Sequence, residues 1–484
     1  MKLSEILERT KILESHGNTD VEIENITADS RNIKTNTLFV AVKGTKTDGH
    51  TFINDVVEKG AAAVMCEILP ETLSDKVCYV KVKDSHEELG KAASAFYGYP
   101  SENLILAGVT GTNGKTTTAT LLYKLFKKLG YKAGLLSTVE NYVDDEVFPT
   151  SNTTPDPLTI NSLMAQMVEK GCQYCFMEVS SHSVVQKRIS GLNFALGVFS
   201  NITLDHLDYH KTFQEYIKAK KMFFDNLPKT AFALTNGDDK NGSVMVQNTK
   251  AQVKTYGLKG FYDFNASILE CGFEGMLLNI CGKEMWTFLP GEFNAYNILA
   301  VYSSAVLLGE QPAAVLQELS ALHSVKGRFD IVNKSGITAI VDYAHTPDAL
   351  ENVLKTVNAI RRELSQPSTL ITLCGCGGDR DKSKRPIMAQ IACKLSDKVI
   401  LTSDNPRTEN PESILDDMFA GLKDGDLKKA VRITDRKSAI QTACLLAKPG
   451  DIILIAGKGH ENYQDVNGVK HHFDDKEIVS GFLG

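Results

Sequence analysis

Short apolar runs alternate with longer amphipathic stretches along the middle of the chain. The apolar runs are Leu104–Val109, Ala133–Ser137, Tyr174–Val179, Leu196–Asn201 and Phe232–Thr235. Unbroken apolar runs of this length predict strands that are buried on both faces, and their alternation with helices indicates a parallel sheet. We therefore predict a central α/β domain over residues 100–329.

Two further regions flank this domain. Residues 1–99 contain short β-like runs and end at a Tyr-Pro-Ser break, which predicts a small α/β domain. After residue 329 a second alternating series predicts a doubly wound, Rossmann-like domain over residues 330–484. Its apolar runs are Thr338–Val341, Thr369–Leu373, Lys398–Thr402, Val431–Ile433 and Ile452–Ile455. A chain of 484 residues is long enough for three domains.

Composition and charge exclude several classes of function. The formal net charge of −6 argues against a protein that wraps nucleic acid. No apolar stretch approaches the roughly 20 residues of a spanning helix, and the N-terminus lacks a signal-peptide core. We therefore expect a cytoplasmic protein without membrane insertion, acting as a monomer on small molecules. The close cysteine pairs Cys172/Cys175 and Cys374/Cys376 lack a second pair at zinc spacing, and we interpret them as buried apolar residues.

The glycine-rich segment of residues 108–118 is the clearest chemical motif and reads GVTGTNGKTTT. It lies between a predicted strand and a predicted helix. Gly111 and Gly114 allow a tight turn whose N–H groups point at an anion, and the Lys115 ammonium adds positive charge. Thr116 would offer its hydroxyl to a magnesium ion. The motif therefore predicts binding of a nucleoside triphosphate.

The spacing of this motif departs from the usual P-loop. Val109 occupies the position where the first glycine is expected, and the nearest glycine is Gly108. The segment thus indicates phosphate binding of an unusual subclass. The alternative interpretation is a glycine-rich surface turn that happens to precede a lysine.

Two acidic and histidine-containing segments follow neighbouring predicted strands. Glu178 ends one strand, where a carboxylate could face the phosphate loop and bind magnesium. The run Asn201–His210 places two aspartates and two histidines within ten residues. Spacing alone indicates a metal site there, although clustered Asp and His also serve as helix caps and core hydrogen-bond partners.

Together these segments resemble the Mur ligase superfamily, which includes cell-wall peptide synthetases and folylpolyglutamate synthetases. The matching blocks follow the family's order and are Gly111–Thr116, Glu178–His182, Asn201–His206, Gly291–Asn297, Gly327–Arg328 and Val341–Pro347. Six ordered blocks are far more specific than one loop. The resemblance implies a uridine-nucleotide domain, a central P-loop-type ATP-binding domain and a C-terminal amino-acid domain.

The same resemblance implies an ATP site with ATP as co-substrate. Its residues would be Gly111, Thr112, Asn113, Gly114, Lys115, Thr116, Thr117, Asn294, Asn297, Arg328 and Asp342. Chemically, the asparagines can pair with a base and Arg328 can neutralise phosphate. The alternative for Asn294 and Asn297 is a helix-capping role.

Magnesium binding and catalysis are implied as well. The metal ligands would be Thr116, Glu178, His206 and a carbamylated lysine, and the catalytic residues would be Lys115, Glu178, His206 and Lys220. Lys220 matches the carbamate by position, but residues 216–222 hold three lysines, and chemistry alone does not choose among them.

Three segments of the last domain resemble those of ligases that add meso-diaminopimelate to UDP-N-acetylmuramoyl-L-alanyl-D-glutamate. The implied amino-acid pocket is Arg380, Asp404, Asn405, Pro406, Arg407, Gly457 and Glu461. Diaminopimelate differs from lysine by a second carboxylate, which a guanidinium such as Arg407 can bind in bidentate fashion. The alternative is that these arginines are surface charges on loops.

The muramoyl-peptide substrate is implied to lie against residues of the first two domains, namely Ser30, Thr153, Thr154, Ser180, Gln186 and Arg188. Isolated Ser and Thr residues more often cap helices or form turns. Two rival functions remain at this point. One is a lysine-adding or other ligase of the same superfamily, and the other is a nucleotide-gated binding module that forms no bond.

Overall fold

The computed structural model describes residues 1–44, 47–150, 152–205 and 207–484. The chain forms three successive mixed α/β domains, each built on its own sheet. We keep the domain ranges 1–99, 100–329 and 330–484 as a proposal, and each range contains one of the three large sheets.

The first sheet has the strand order β1-β5-β4-β3-β2, in which only the edge strand β1 is antiparallel. Its strands are β1 (Ile12–His16), β2 (Asn25–Thr27), β3 (Thr37–Val40), β4 (Ala61–Cys66) and β5 (Cys78–Val82). Its helices are α1 (Leu3–Ile6), α2 (Ile53–Glu58) and α3 (Ser85–Phe96).

The central sheet has eleven strands in the order β16-β15-β14-β13-β12-β11-β6-β10-β7-β8-β9. These are β6 (Ile105–Thr110), β7 (Ala133–Leu136), β8 (Asn141–Val143), β9 (Glu146–Phe148), β10 (Tyr174–Glu178), β11 (Leu196–Phe199), β12 (Phe232–Asn236), β13 (Gln252–Gly257), β14 (Phe264–Gly272), β15 (Gly275–Ile280) and β16 (Lys283–Thr287). The helices are α4 (Lys115–Lys128), α5 (Pro157–Glu169), α6 (Ser181–Val185), α7 (Leu207–His210), α8 (Phe213–Asp225), α9 (Gly242–Met245), α10 (Glu292–Leu307) and α11 (Pro312–Ser320).

Helices cover both faces of the central sheet, as its unbroken apolar strands require. One core lies between the sheet and helices α4, α10 and α11, and a second lies against α5 and α8. This arrangement fixes β6, β10 and β11 as parallel neighbours in the middle of the sheet. Their carboxyl ends therefore meet at one edge.

The last large sheet has the order β17-β18-β22-β19-β20-β21, with β17 antiparallel at the edge. Its strands are β17 (Asp330–Lys334), β18 (Ile337–Asp342), β19 (Leu370–Cys374), β20 (Lys398–Leu401), β21 (Ala430–Arg432) and β22 (Ile452–Ala456), and a separate hairpin pairs β23 (Tyr463–Val466) with β24 (Val469–His472). The helices are α12 (Pro347–Arg362), α13 (Lys384–Leu395), α14 (Pro411–Phe419), α15 (Asp424–Leu427), α16 (Arg436–Leu446) and α17 (Asp475–Phe482).

Local signals explain where the long helices begin. Thr346 caps α12 by accepting a hydrogen bond from the N–H of Ala349, and Pro347 occupies the first helical position. Acidic Asp348 in the first turn and two arginines in the last turn complement the helix dipole. As a result α12 begins shortly after β18, beside the sheet edge where ligands gather.

The predicted α/β fold with three domains is confirmed, and each apolar run given above for the second and third domains overlaps a strand. The sequence predicts a parallel central sheet, and this prediction is only partly correct because the sheet is mixed. Antiparallel strands β15 and β16 extend one side, and β8 and β9 extend the other. The paired cysteines are free thiols, and Cys175 and Cys374 are buried on strands, as expected.

Within the described residues, no helix combines the length and the apolar character that crossing a bilayer demands.

A fully buried ion pair joins Arg436 of α16 to Asp475 of α17, with Nη2 and Oδ2 2.7 Å apart. Asp475→Ala would leave the guanidinium buried without its partner, and we expect the free energy of unfolding of this domain to fall by about 3–5 kcal/mol. Denaturant unfolding followed by circular dichroism measures it. As a control, Glu477→Ala removes an exposed pair with His472 in the same region and should have little effect. Equal losses in both variants would contradict the prediction.

Candidate active site

The glycine-rich segment forms a tight loop between β6 and α4. Gly111 and Gly114 have φ values of 153° and 86°. A Cβ on Gly111 would lie 1.9 Å from Ser200 Oγ, and one on Gly114 would lie 2.4 Å from Asn297 Oδ1. Both positions therefore require glycine, because the loop backbone packs directly against neighbouring side chains.

The segment after β11 braces this loop. Asn201 Oδ1 accepts a hydrogen bond from the N–H of Asn113 at 2.9 Å, and Asn201 Nδ2 donates to the carbonyl oxygen of Asn113 at 3.1 Å. Ser200 Oγ donates to the same oxygen at 2.6 Å. The loop is thus held in shape by the adjacent strand end.

Lys115 and Arg328 bring two cations to the loop. Lys115 Nζ donates to the carbonyl oxygens of Gly111 and Thr112 at 2.9 and 2.8 Å. Burial lowers the pKa of Lys115, and nearby Arg328 lowers it further, whereas Glu178 and Asp205 act in the opposite direction. Arg328 donates to Thr116 Oγ1 at 3.2 Å. Arg328 therefore reaches from the end of the central domain into the phosphate loop.

Glu178 lies at the carboxyl end of β10, opposite Val109 of β6 in the sheet register. Its side chain is fully buried. Oε1 accepts a hydrogen bond from the N–H of Thr138 at 2.7 Å, while Oε2 is buried without a hydrogen-bond partner among the described residues. A buried carboxylate oxygen of this kind and the nearby Thr116 hydroxyl are hard oxygen ligands, which suit Mg²⁺.

The remaining predicted metal ligands divide into two cases. His206, one of the predicted ligands, lies outside the described residues. Among the described residues no group of three or more His, Cys, Asp or Glu side chains is placed to hold a metal ion. Lys220 on α8 is fully buried, and its Nζ donates to the carbonyl oxygen of Gly111 at 2.7 Å.

The structure distinguishes Lys220 from the two other lysines of its segment. Lys218 is exposed and pairs with Glu215, while Lys221 pairs with Asp225 on the outer side of α8. The pKa of Lys220 lies well below its usual value because burial disfavours the ammonium and Lys115 repels it. Among the described residues of this segment, Lys220 is the lysine whose side chain hydrogen-bonds the phosphate loop, and its lowered pKa favours the neutral amine.

The two predicted ATP-binding asparagines on α10 differ in position. Asn297 lines the cavity beside Gly114. Asn294 donates from Nδ2 to the carbonyl oxygen of Pro290 at 2.9 Å and accepts from Asn297 Nδ2 at 3.2 Å. Asn294 thus orients Asn297, and α10 begins after Gly291 without a side-chain cap, so the helix-capping alternative is not supported.

Asp342 ends β18 and fixes the junction of the central and last domains. Its Oδ2 accepts a hydrogen bond from the N–H of Phe329 at 2.7 Å. Burial raises the pKa of this carboxyl group, while Arg328 and backbone N–H groups oppose the rise. Asp342 lines the same cavity as the phosphate loop.

The residues predicted for the muramoyl peptide cluster around Glu178, with one exception. Thr154 Oγ1 donates to the carbonyl oxygen of Glu178 at 2.7 Å, and the N–H of Ser180 donates to Thr154 Oγ1 at 3.1 Å. Arg188 donates to the carbonyl oxygen of Thr154 at 2.7 Å and to Gln186 Oε1. Thr153 accepts from Thr138 and lines the cavity.

Ser30 is the exception. It lies in the loop between β2 and β3, where its carbonyl oxygen accepts a hydrogen bond from Lys59 at 3.1 Å. Among the described residues, Thr153 is the member of this predicted set that lines the cavity; the lining does not include Ser30, Thr154, Ser180, Gln186 or Arg188.

One cavity of about 1970 Å³ joins the edges of the central and C-terminal sheets. This is about twice the upper end of the usual range for a single ligand pocket. Its walls come from the phosphate loop, the end of β10, the junction around Arg328 and the loops after β19, β20 and β22. The cavity is therefore large enough to bring a nucleotide and a second substrate together.

Arg407 lines this cavity and has a backbone conformation that is unusual for arginine. Its φ is 52°, in the left-handed region. The β23–β24 hairpin holds it there: the N–H of Arg407 donates to Asp465 O at 3.0 Å, and the N–H of Asn467 donates to Arg407 O at 2.7 Å. The guanidinium donates to Gly378 O at 2.7 Å and lies beside the exposed side chain of Arg380.

The other predicted pocket residues form a buried polar cluster behind Arg407. Asn405 Nδ2 donates to Glu461 Oε2 at 2.7 Å, and Asp404, Asn405, Gly457 and Glu461 all line the cavity. Pro406 is buried next to them and, among the described residues, does not belong to the lining. Burial and the charge of Asp404 raise the pKa of Glu461, against the opposing effect of Lys458.

Several contributing residues were not predicted from the sequence. Thr138 follows β7 and positions Glu178. Asp348 accepts hydrogen bonds from Asn113 at 2.8 Å and from Thr203 at 3.2 Å, which links α12 to the phosphate loop. Thr138 follows a predicted strand, so a search for polar residues at all strand ends would have found it, whereas Asp348 lies in the first turn of α12. The β23–β24 hairpin was also missed.

Comparison with known proteins agrees with this geometry. The Mur ligase middle domain matches residues 109–305, the glutamate ligase domain of the Mur ligases matches residues 327–459, and the Mur ligase family catalytic domain matches residues 22–106. The chain belongs to the Mur ligase family. It is thus a ligase with the three-domain Mur ligase fold.

Two curated Mur ligases show how far the similarity extends. A protein of Phocaeicola vulgatus named UDP-N-acetylmuramoyl-L-alanyl-D-glutamate--2,6-diaminopimelate ligase is 59% identical over 480 residues, which cover 99% of both chains. A protein of the same name from Clostridium tetani is 40% identical over 492 residues, covering 100% of this chain and 99% of the relative.

Solved Mur ligase structures share the fold. A structure of a UDP-N-acetylmuramoyl-L-alanyl-D-glutamate--2,6-diaminopimelate ligase is 32% identical, with a TM-score of 0.70 and coverage of 100% of this chain and 98% of that one. A MurF ligase from Thermotoga maritima in complex with ADP is 19% identical, with a TM-score of 0.62 and coverage of 96% and 97%. The second likeness concerns the fold alone.

The left-handed backbone of Arg407 predicts an unusual order of stability among its variants. Arg407→Gly and Arg407→Ala both remove the guanidinium, but glycine adopts positive φ without the steric cost that alanine meets. We expect the glycine variant to be more stable by about 1 kcal/mol in denaturant unfolding. At Arg380, which has negative φ, alanine should be at least as stable as glycine. The same order at both positions would contradict the prediction.

Proposed function

We propose that this chain is the ATP-dependent ligase that adds meso-diaminopimelate to UDP-N-acetylmuramoyl-L-alanyl-D-glutamate in peptidoglycan precursor synthesis. The observation that carries the proposal is the shared cavity, which both the phosphate loop and Arg407 line. Relatives that match this chain from end to end bear the corresponding name. A cytoplasmic location and a monomeric state remain part of the proposal.

The reaction needs ATP because a carboxylate is a poor electrophile. An oxygen of the D-glutamate side-chain carboxylate would attack the γ-phosphorus, and the bond from that phosphorus to the bridging oxygen would break, releasing ADP. The amine of diaminopimelate would then attack the acyl carbon. Inorganic phosphate leaves and the nitrogen loses a proton as the amide forms. Such a sequence requires no covalent enzyme intermediate.

Lys115, Arg328 and the loop N–H groups would hold the phosphates while this happens. In the structure Lys115 donates to two loop carbonyl oxygens, so a bound phosphate would replace weaker neutral acceptors by a charged one. Asn297, beside Gly114, is placed to orient the nucleotide. Fixed donors of this kind stabilise charge as it develops on the transferred phosphoryl group.

Glu178 and Thr116 would hold a magnesium ion, with His206 and a Lys220 carbamate as further proposed ligands. The buried Oε2 of Glu178, which has no hydrogen-bond partner among the described residues, fits that role. The ion would reduce the repulsion between the carboxylate and the phosphates. Thr138 fixes the other oxygen of Glu178 and so sets the direction in which the carboxylate faces.

Selection of the amino acid is assigned to Arg407, Asn405 and Glu461. Diaminopimelate carries a distal carboxylate that Arg407 can pair with, whereas lysine presents a bare ammonium there. Glu461 would meet a substrate ammonium group. The rival of a different class, a nucleotide-gated binding module, needs no amino-acid pocket, and the buried polar cluster behind Arg407 therefore speaks against it.

Phosphate release from ATP tests the proposal and its rivals together. With the muramoyl dipeptide nucleotide present, we expect release with meso-diaminopimelate and little with L-lysine. Arg407→Ala should lower kcat/KM for diaminopimelate by at least about 30-fold, or about 2 kcal/mol, while ATP binding measured by calorimetry is retained.

Arg432→Ala is the matched control, since Arg432 belongs to the same domain but pairs with Glu412 and Asp416 away from the cavity. It should leave both kinetic constants near their wild-type values. Absence of release with diaminopimelate would exclude the proposed reaction, and equal release with lysine would exclude the role of Arg407.

Carbamylation of Lys220 gives a separate prediction. Carbon dioxide adds to neutral amines, and Lys220 has a pKa far below its usual value because it is buried and close to Lys115. We expect enzyme equilibrated with ¹³C-bicarbonate to show a carbamate carbon signal in NMR that is absent from Lys220→Met. Activity lost on removing carbon dioxide should return with bicarbonate. Lys221→Met is the control and should keep the signal, because Lys221 faces Asp225.

A further inference from the structure

Lys458 is a fully buried lysine to which the sequence assigned no role. It lies between two glycines directly after β22, and its side chain is completely shielded from solvent. Its Nζ lies 2.9 Å from Asn405 Oδ1 and 3.4 Å from both Asp404 Oδ1 and Glu461 Oε2. All three partners line the cavity.

Two carboxylates meet at this point. Burial opposes the charged form of Asp404, but Lys458 and Arg436 lower its pKa on balance. Asp404 is therefore ionised, and its charge together with burial raises the pKa of Glu461. Two buried carboxylates that share a site do not both ionise readily unless a cation lies between them.

Few other charged groups act on Glu461. Tyr343 and Tyr463 are close to it, and both have raised pKa values because they are buried, so they stay neutral. Arg407 acts on the same Tyr463 from the cavity side but is held by Gly378. Among the described residues, Lys458 is the cation that forms an ion pair with Glu461.

We propose that Lys458 is a positioning residue for amino-acid binding: its ammonium holds Glu461 as a carboxylate directed at the cavity, where Glu461 binds an ammonium group of the substrate. This inference rests on the proposed function, which supplies the amino acid. Lys458 also bonds Asn405, so one buried cation sets two walls of the pocket. The substrate itself is met by Glu461 and Asn405.

A purely structural ion pair would behave differently. The Arg436–Asp475 pair already joins α16 to α17 in the same domain and includes no cavity-lining residue in the described chain. Within the described chain, the hydrogen bonds of the Lys458 side chain instead all end on pocket residues. Loss of Lys458 should therefore affect amino-acid binding as a function of pH rather than turnover at saturation.

The test compares KM and kcat for meso-diaminopimelate in wild type and Lys458→Met between about pH 6.5 and about pH 9. Without the charge of Lys458, Glu461 should keep its proton to higher pH, so KM near neutral pH should rise about tenfold or more, a loss of about 1.4 kcal/mol of binding. Saturating kcat should stay close to wild type. The ratio of variant to wild-type KM should fall towards high pH, where Glu461 ionises without help; taking the ratio cancels titration of the substrate.

Three further variants keep the result interpretable. Lys429→Met removes a lysine that bonds only carbonyl oxygens of Cys393 and Ser396 and should change nothing in the ratio. Lys458→Gln keeps hydrogen-bond donors but lacks the charge. Its KM ratio should show the same pH dependence, so it replaces the methionine variant if that variant is unstable. Lys458→Met combined with Glu461→Gln should lose no more than Glu461→Gln alone.

A KM ratio that stays constant with pH, or additive losses in the double variant, would overturn the inference while the wild type still turns over diaminopimelate. A wild type without turnover would instead remove the proposed function, and this inference with it. The two failures are thus distinguishable in the same set of assays.

Discussion

The carbonyl oxygen of Gly111 accepts hydrogen bonds from the half-buried Lys115 at 2.9 Å and from the fully buried Lys220 at 2.7 Å. Two ammonium groups that converge on one oxygen repel each other, and burial removes the water that would screen them. Neutralisation of one amine or the arrival of anions relieves that repulsion. A nucleotide phosphate beside Lys115 and a carbamate on Lys220 would both do so. Substrate binding and lysine modification would then both reduce the repulsion between Lys115 and Lys220.

The sequence was most informative where burial on both faces forces a simple pattern. The strands that carry Glu178 and Asp342 are largely apolar, and parallel packing within each of their two sheets brings the residues after its strands to one edge of that sheet. The hairpin of β23 and β24 escaped notice because its residues are half-buried or exposed and show no apolar run. Its Asn467-Gly468 turn, with both residues at positive φ, is the signal that could have revealed it.

The candidate site was predictable as residue types and less so as roles. Asn294 and Asn297 look alike in sequence, yet the helical spacing of three residues lets one hold the other. Lys218, Lys220 and Lys221 are equally charged, and only the direction in which α8 turns its faces separates them. Lys458 stands in a motif that the resemblance covered, but its contacts join segments more than 50 residues apart. Such long-range contacts leave no trace in local sequence patterns.

The hairpin that holds Arg407 lies outside the main sheet of its domain and contacts the 404–407 segment largely through main-chain atoms. Backbone pairing does not depend on which side chain position 407 carries. The amino-acid preference could therefore diverge by exchanging that side chain or altering the hairpin, while the sheet, the phosphate loop and the order of folding stay as they are. The residues that select the amino acid are thus structurally separate from the sheet and the phosphate loop.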